Sequence, residues 1–316
     1  FSGTTPNDQN PFELFENCWS SKIPNIQNTG NLDVFGDARI DYFCQVFGDM
    51  KGRTILELGP LEAGHTYMLE EAGAKVTAVE GNYGAFLRCL TVKNLLNLRA
   101  KFVLGDFSKM KPCEVKYDAV VACGVLYHMA DPVAFLKDLA ERTDNIFIWT
   151  HYFDENFDKW SSMARKQLKK GKWDLEHIQS QEINEFEVRT VRQSYGGALG
   201  WAGFTGGTET FSYWIFKEDL IHLLKALGFS NIRIGLHLDQ IDHQHGPCFA
   251  IFASKSAQKE EIDVSYYLDP DVHPDLYEEF GHLPEYEKEL KALEHFIGWG
   301  KKEGRLPKAP LVEETV

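Results

Sequence analysis

The chain lacks any uninterrupted apolar run long enough to span a bilayer, and no signal-peptide pattern opens it. A soluble, cytoplasmic protein with no membrane partner is the expectation. Positive charge is also scarce: 33 Lys and Arg stand against 47 Asp and Glu, a formal net charge of -14. That balance argues against a broad phosphate-binding surface, so nucleic acid is not the expected partner. Metal-ligand and redox spacings are missing from the six cysteines, Cys18, Cys44, Cys89, Cys113, Cys123 and Cys248. Several sit in apolar runs and read as small core residues in a reducing compartment. The histidines are equally unpatterned. His243-Gln244-His245 is the only close pair and reads as a solvated loop, so no metal is expected. There is no internal repeat. The chain starts at Phe1 rather than Met, so its true N-terminus is expected to be missing or processed.

What is present is an alternation. Apolar runs at 53–58, 75–80, 100–105, 117–122 and 145–150 read as strands. Helical spacing fills 64–73, 83–96 and 132–142, the last opened by an Asp131-Pro132 cap. This predicts an α/β doubly wound parallel sheet with right-handed crossovers. Residues 1–35 read as an irregular arm with one short helix near Phe12–Trp19, followed by a helix from Asp37 to Phe47. The alternation stops after His151. Residues 151–213 carry aromatics, a basic cluster (Arg165, Lys166, Lys169, Lys170, Lys172) and a glycine-aromatic stretch, with no clean strand-helix repeat. It returns with a helix at 217–227 and strands at 231–238 and 248–254, which a short polar loop pairs antiparallel. Residues 256–316 are charged, with one helix at 284–297. The expected division is an N-terminal arm at 1–50, a catalytic domain at 51–255 with an inserted lid at 151–213, and a helical C-terminal appendage at 256–316.

The segment Thr54–His65 carries the most information. Three apolar residues run into Glu57, the chain turns at Gly59, and a helical pattern follows. A second run, Lys75–Val79, ends in Glu80. A glycine turn with an acid at the next strand tip is a usual way to hold a nucleoside-containing cofactor. Backbone N–H groups approach the ligand, and the second carboxylate accepts from the ribose hydroxyls.

These residues, with Gly105-Asp106-Phe107 and Cys123-Gly124-Val125-Leu126-Tyr127-His128, resemble the class I S-adenosylmethionine-dependent methyltransferases. The resemblance covers about 55–150, and 215–254 by element order. The Gly-Val-Leu-Tyr-His run is also similar to that of a tRNA uridine carboxymethyltransferase family. The resemblance implies a seven-stranded, mostly parallel Rossmann-like sheet whose last pair is an antiparallel hairpin, and S-adenosyl-L-methionine as cofactor. It places Glu57 and Gly59 at the methionine end, Glu80 on the ribose with Asn82 beside it, and Asp106 and Phe107 on the adenine. The loop from Cys123 would lie beside the sulfonium. Arg39, in an arm that closes over the cofactor, would pair with the methionine carboxylate or, alternatively, with Asp37 or Asp41. The family's glycines at 61 and 63 are Leu61 and Ala63 here.

The implied function is methyl transfer to an oxygen or nitrogen of a small-molecule acceptor. Alternatives are a tRNA-modifying transferase of the same fold and a non-catalytic cofactor-binding subunit. His128 and His151 are candidate bases because an imidazole titrates near neutral pH, with Tyr127 behind them. Tyr152, Tyr195 and Trp201 are candidate acceptor contacts.

Overall fold

The apolar runs line up as one sheet whose central strands are buried on both faces, as parallel strands under helices must be, while the edge run at 101–104 stays partly exposed. In the computed structural model, which describes residues 3–112, 116–170, 172–200, 204–235, 238–255, 262–300 and 303–307, ten strands form. They are β1 (Thr54–Leu58), β2 (Lys75–Glu80), β3 (Lys101–Leu104), β4 (Ala119–Cys123), β5 (Asn145–His151), β6 (Trp173–Ile183), β7 (Phe186–Ser194), β8 (Phe211–Ile215), β9 (Asn231–Ile234) and β10 (Cys248–Ser254). The main sheet has the order β3-β2-β1-β4-β5-β10-β9, parallel except for β10, which runs antiparallel to both neighbours. This is the seven-stranded doubly wound sheet that the sequence predicts. Its order reverses between β1 and β4, and ligands bind at the carboxyl edge of such a switch point.

The helices are α1 (Asn10–Glu13), α2 (Ala38–Phe47), α3 (Gly64–Glu71), α4 (Tyr83–Leu96), α5 (Pro132–Arg142), α6 (Ser162–Lys169), α7 (Lys217–Ala226), α8 (Val264–Tyr267), α9 (Pro274–Phe280) and α10 (Glu285–His295). Local chemistry sets their starts. Asp37, Asn82 and Asp131 each accept a backbone N–H of the first turn of α2, α4 and α5. None of the helices among the described residues is long and apolar enough to cross a membrane.

The insertion, whose sequence shows no strand-helix repeat, folds β6, β7 and β8 into a three-stranded antiparallel sheet. It packs around an aromatic cluster of Phe153, Trp160, Trp173, Trp214 and Phe216. Two expectations need correction. The strand expected over 231–238 stops at Ile234, because Gly235 gives its N–H to Ala250 O and Leu238 then turns back on Gly235 O. The C-terminal segment holds α8 and α9 besides α10, closed on their own core of Tyr267, Leu276, Phe280 and Phe296. Cys113, Trp201 and His237 lie outside the described residues.

Candidate active site

The turn after β1 keeps its shape without its glycines. Gly59, Leu61 and Ala63 all take the left-handed conformation, with φ of 65°, 54° and 62°. A side chain costs roughly 1–2 kcal/mol in that region. What holds the turn there is the N-terminal arm. Glu62 is fully buried, and its carboxylate accepts from the N–H groups of Ser20 and Ser21 and from Arg88 Nε. Gly64 is required for a different reason: a Cβ there would lie 2.6 Å from the Val34 carbonyl oxygen. The turn is therefore locked from behind, and its front faces a cavity of about 1160 Å³ along the carboxyl edge of the sheet.

Glu80 closes the tip of β2 and lines that cavity. Its Oε2 accepts from Leu61 N–H (3.1 Å) and its Oε1 from Asn82 N–H (2.8 Å), which fixes the carboxylate and leaves a lone pair on each oxygen. Burial nonetheless raises its pKa, with those N–H groups opposing the shift. Asn82 and Phe107 also line the cavity. Asn82 caps α4 and donates from Nδ2 to Phe204 O in the insertion. Asp106 sits at the rim but is committed as a cap, accepting from Ser108 N–H and Oγ–H and pairing with Lys109. Glu57 does not reach the cavity. It lies inside the sheet, where Thr66 Oγ1 donates to Oε2 at 2.5 Å and Oε1 has no partner. Burial pushes its pKa up to about 7.

At the start of α2, Asp37 accepts from Arg39 through both oxygens and sits 2.9 Å from His65 Nε2. Arg39 is not on the surface: its guanidinium stacks 4.5 Å over Trp149 and lines the cavity with Asp37 and His65. Burial works against the His65 charge, but Cys123 and Asp37 beside it prevail and raise its pKa to about 10. Asp37 is held well below the usual carboxylate range despite burial, by His65 and Arg39. Two cations around one carboxylate leave net positive charge facing the cavity. His65 and Glu62 were missed as site residues because nothing in their local sequence marks the partners they find at Asp37 and Arg88.

On the other side, the loop after β4 brings Cys123, Tyr127 and His128 to the cavity, and β5 brings His151. Tyr195 Oη donates to Gly206 O at 2.7 Å, so its oxygen accepts from His128 Nδ1–H at 2.9 Å. That chain leaves Nε2 of His128 with the lone pair. Burial lowers His128 to about 4, so the ring is neutral at physiological pH. His151 is also neutral, lowered to about 3 by burial and the nearby His243. Its Nδ1–H points at the Gly246 and Pro247 carbonyls (3.0 and 3.1 Å), and its ring stacks on Trp214 at 4.9 Å. Tyr127 packs edge-on against His151 at 4.7 Å, and its phenol is pushed far up by burial. Tyr195 reaches the site only through His128. Tyr152 is buried under Phe249, bonds Asp239, and does not line the cavity. Trp201 lies outside the described residues.

Residues 56–143 match the family described as Methyltransferase domain. The tRNA U34 carboxymethyltransferase of Campylobacter lari is 23% identical over 111 residues, 34% of this chain and 38% of that protein. The Ribosomal RNA small subunit methyltransferase A of Novosphingobium aromaticivorans is 31% identical over 83 residues, 26% of this chain and 30% of that protein. The chain spans less than half the length of the curated relatives it matches. Among solved structures, the N-terminal domain of EvdMO1, crystallised in the presence of SAH and D-fucose, aligns with a TM-score of 0.56 at 21% identity. That alignment covers 78% of this chain and 94% of the other, and the likeness is one of fold. Sheet order and the match over 56–143 agree on one conclusion: those residues form a methyltransferase domain, set in a doubly wound seven-stranded sheet.

Proposed function

We propose that this protein transfers a methyl group from S-adenosyl-L-methionine to an oxygen or nitrogen of a small-molecule acceptor. The observation that carries the reading is the Glu80 carboxylate, fixed by Leu61 and Asn82 N–H groups with one lone pair free on each oxygen. Two vicinal ribose hydroxyls fit that donor-seeking pair. The net positive charge of Asp37, Arg39 and His65 suits the amino-acid carboxylate, and Phe107 suits the adenine. Gly59 and Cys123 lie between these ends on the cavity wall.

The cofactor supplies an activated methyl group on a positively charged sulfur. The chain's part is to orient both reactants and exclude water, which is worth on the order of 7–11 kcal/mol. His128 Nε2 is the group best placed to take the acceptor proton, because Tyr195 holds its tautomer. We read residues 1–50 as the arm that braces the cofactor turn, 51–255 as the catalytic domain, 151–213 as its lid and 256–316 as a buttress. Phe204, Thr205, Gly207, Thr208 and Glu209 of that insertion line the cavity.

An acidic rim of Asp106, Asp131, Asp138 and Glu209 favours a small acceptor over a polyanion. The relatives named as tRNA enzymes and the basic residues of α6 favour the other reading. A tRNA complex whose affinity falls steeply with salt would establish it. Leu61 and Ala63, which prompted the non-catalytic reading, hold the left-handed backbone that glycine would adopt. Turnover of any acceptor by the isolated chain would retire that reading. Calorimetric titration with S-adenosylmethionine tests the whole: a stoichiometry near one supports it, and no heat from folded protein at millimolar cofactor overturns it.

A further inference from the structure

At the far end of the cavity from Glu80, three potential metal ligands converge, His151 from one part of the chain and His243 and Cys248 from a short segment about 90 residues later. His151 ends β5, Cys248 begins β10, and the two stand directly opposite each other in the antiparallel register. His243 comes from the loop before β10. One donor atom from each lies within 4.8 Å of the other two. His151 and Cys248 are buried, and His243 is half-buried.

We propose that His151, His243 and Cys248 bind a zinc-class divalent cation. The donor set selects it. One thiolate and two imidazoles suit a borderline-soft ion and not magnesium or calcium, which take oxygen. His151 is already oriented as a ligand. Its Nδ1–H donates to the Gly246 and Pro247 carbonyls, which leaves Nε2 to coordinate and supplies the second-sphere hydrogen bond that metal-binding histidines use. Bonds of about 2.0–2.3 Å need the donors roughly 1 Å closer than they stand. His243, on a loop with exposed neighbours, can supply that movement.

Three protein ligands leave one tetrahedral position open, as in catalytic rather than structural zinc sites. His151 and His243 both line the cavity, so the open position faces the space where, on the function proposed above, the acceptor sits. An acceptor hydroxyl bound there would ionise more readily and would give its proton to His128 Nε2. This assigns His151 to the metal and leaves His128 as the base.

The test uses the full chain, stripped with chelator and titrated with Co2+ as an absorbing substitute. One equivalent should bind with a thiolate-to-cobalt charge-transfer band and the visible bands of four-coordinate cobalt, and Zn2+ should displace it. Cys248→Ser should abolish the charge-transfer band, and His243→Ala should weaken binding at least tenfold. His243→Ala serves as the second variant if Cys248→Ser unfolds the strand. No such band in the wild type, a band surviving Cys248→Ser, or unchanged affinity in His243→Ala each overturns the site. The same metal-free protein is titrated with S-adenosylhomocysteine. Cobalt bands without nucleoside binding uphold the metal site and remove the cofactor reading. Nucleoside binding without the bands removes the metal site alone.

Discussion

The two ends of the cavity are built differently. The end under β1, β2 and β3 takes its cavity-facing carboxylate from a strand tip whose contacts span one turn or one crossover, with the N-terminal arm and Phe204 bracing it from further away. Glu80 meets Leu61 across 19 residues and Asn82 across two. The end under β4, β5 and β10 is made from residues far apart in the chain. His128 meets Tyr195 across 67 residues, and His151 meets Gly246 across 95. On the function proposed above, the first end holds the nucleoside and the second the acceptor, and the second draws on the insertion and on the loop between the last two strands besides the ends of β4 and β5.

The largest effect that would test this division lies at the second end. His128→Ala should lower kcat by about 10²–10⁴, the usual contribution of a positioned base. Affinity for S-adenosylhomocysteine should stay within about threefold, since the first end is untouched. Because burial holds His128 down at about 4, the wild-type rate should be level from neutral pH down to about pH 5 and fall only below that. Stopped assays across pH, with calorimetry beside them, check both. A variant that loses cofactor binding as well as rate would show that the two ends are not separable.

The same division explains how much could be read in the sequence. Glu80, Gly59 and the start of α5 were legible because strand, turn and cap each announce themselves within a few residues. The sheet of the insertion was not. β6 is exposed along almost its whole length, so its residues show none of the alternation that a half-buried strand imposes. Asp106 was read toward the adenine, yet its carboxylate caps the turn that follows, because Ser108 and Lys109 lie within its reach. Glu57 was read as a contact, and it stands behind the wall, since a strand residue two before the turn faces the sheet interior rather than its edge. The His151, His243 and Cys248 cluster was not legible because strand pairing, not sequence proximity, brings His151 to the other two.

Glu57 sharpens the comparison through stability. Its pKa rises from an ordinary 4.5 to about 7 on folding, so the folded state prefers the neutral acid. That preference is fully present below pH 4.5 and is lost as pH climbs through about 7, for roughly 3 kcal/mol. His65 enters the window from above: its folded value is raised to about 10, so its contribution is complete below about 6.5 and declines progressively from there to about 10. Glu294, also raised to about 7 by burial, shares the Glu57 range. Glu57→Gln should therefore lessen the decline in Tm between about pH 5 and 6.5 while keeping the Thr66 hydrogen bond. An unchanged pH dependence would mean that Glu57 ionises freely where it sits. Next in size is Glu80→Ala, which removes two charge-assisted contacts worth about 1.5–3 kcal/mol in sum at a partly buried site. S-adenosylhomocysteine should bind ten- to hundredfold more weakly by calorimetry, and equal affinity would refute the ribose assignment.

The smallest effect comes from Leu61→Gly. Glycine relieves a left-handed conformation that costs a side chain roughly 1–2 kcal/mol, but it adds about 0.5–1 kcal/mol of chain entropy to the unfolded state. Leu61 also has its side chain at the cavity wall, and its N–H donates to Glu80 whatever the side chain is. Stability should thus rise by no more than about 1 kcal/mol, and nucleoside affinity should move less than about threefold, because the arm and not the residue type holds the turn. A large gain in affinity would place the leucine side chain in the way of the methionine end. The first end of the cavity would then be as individual as the second.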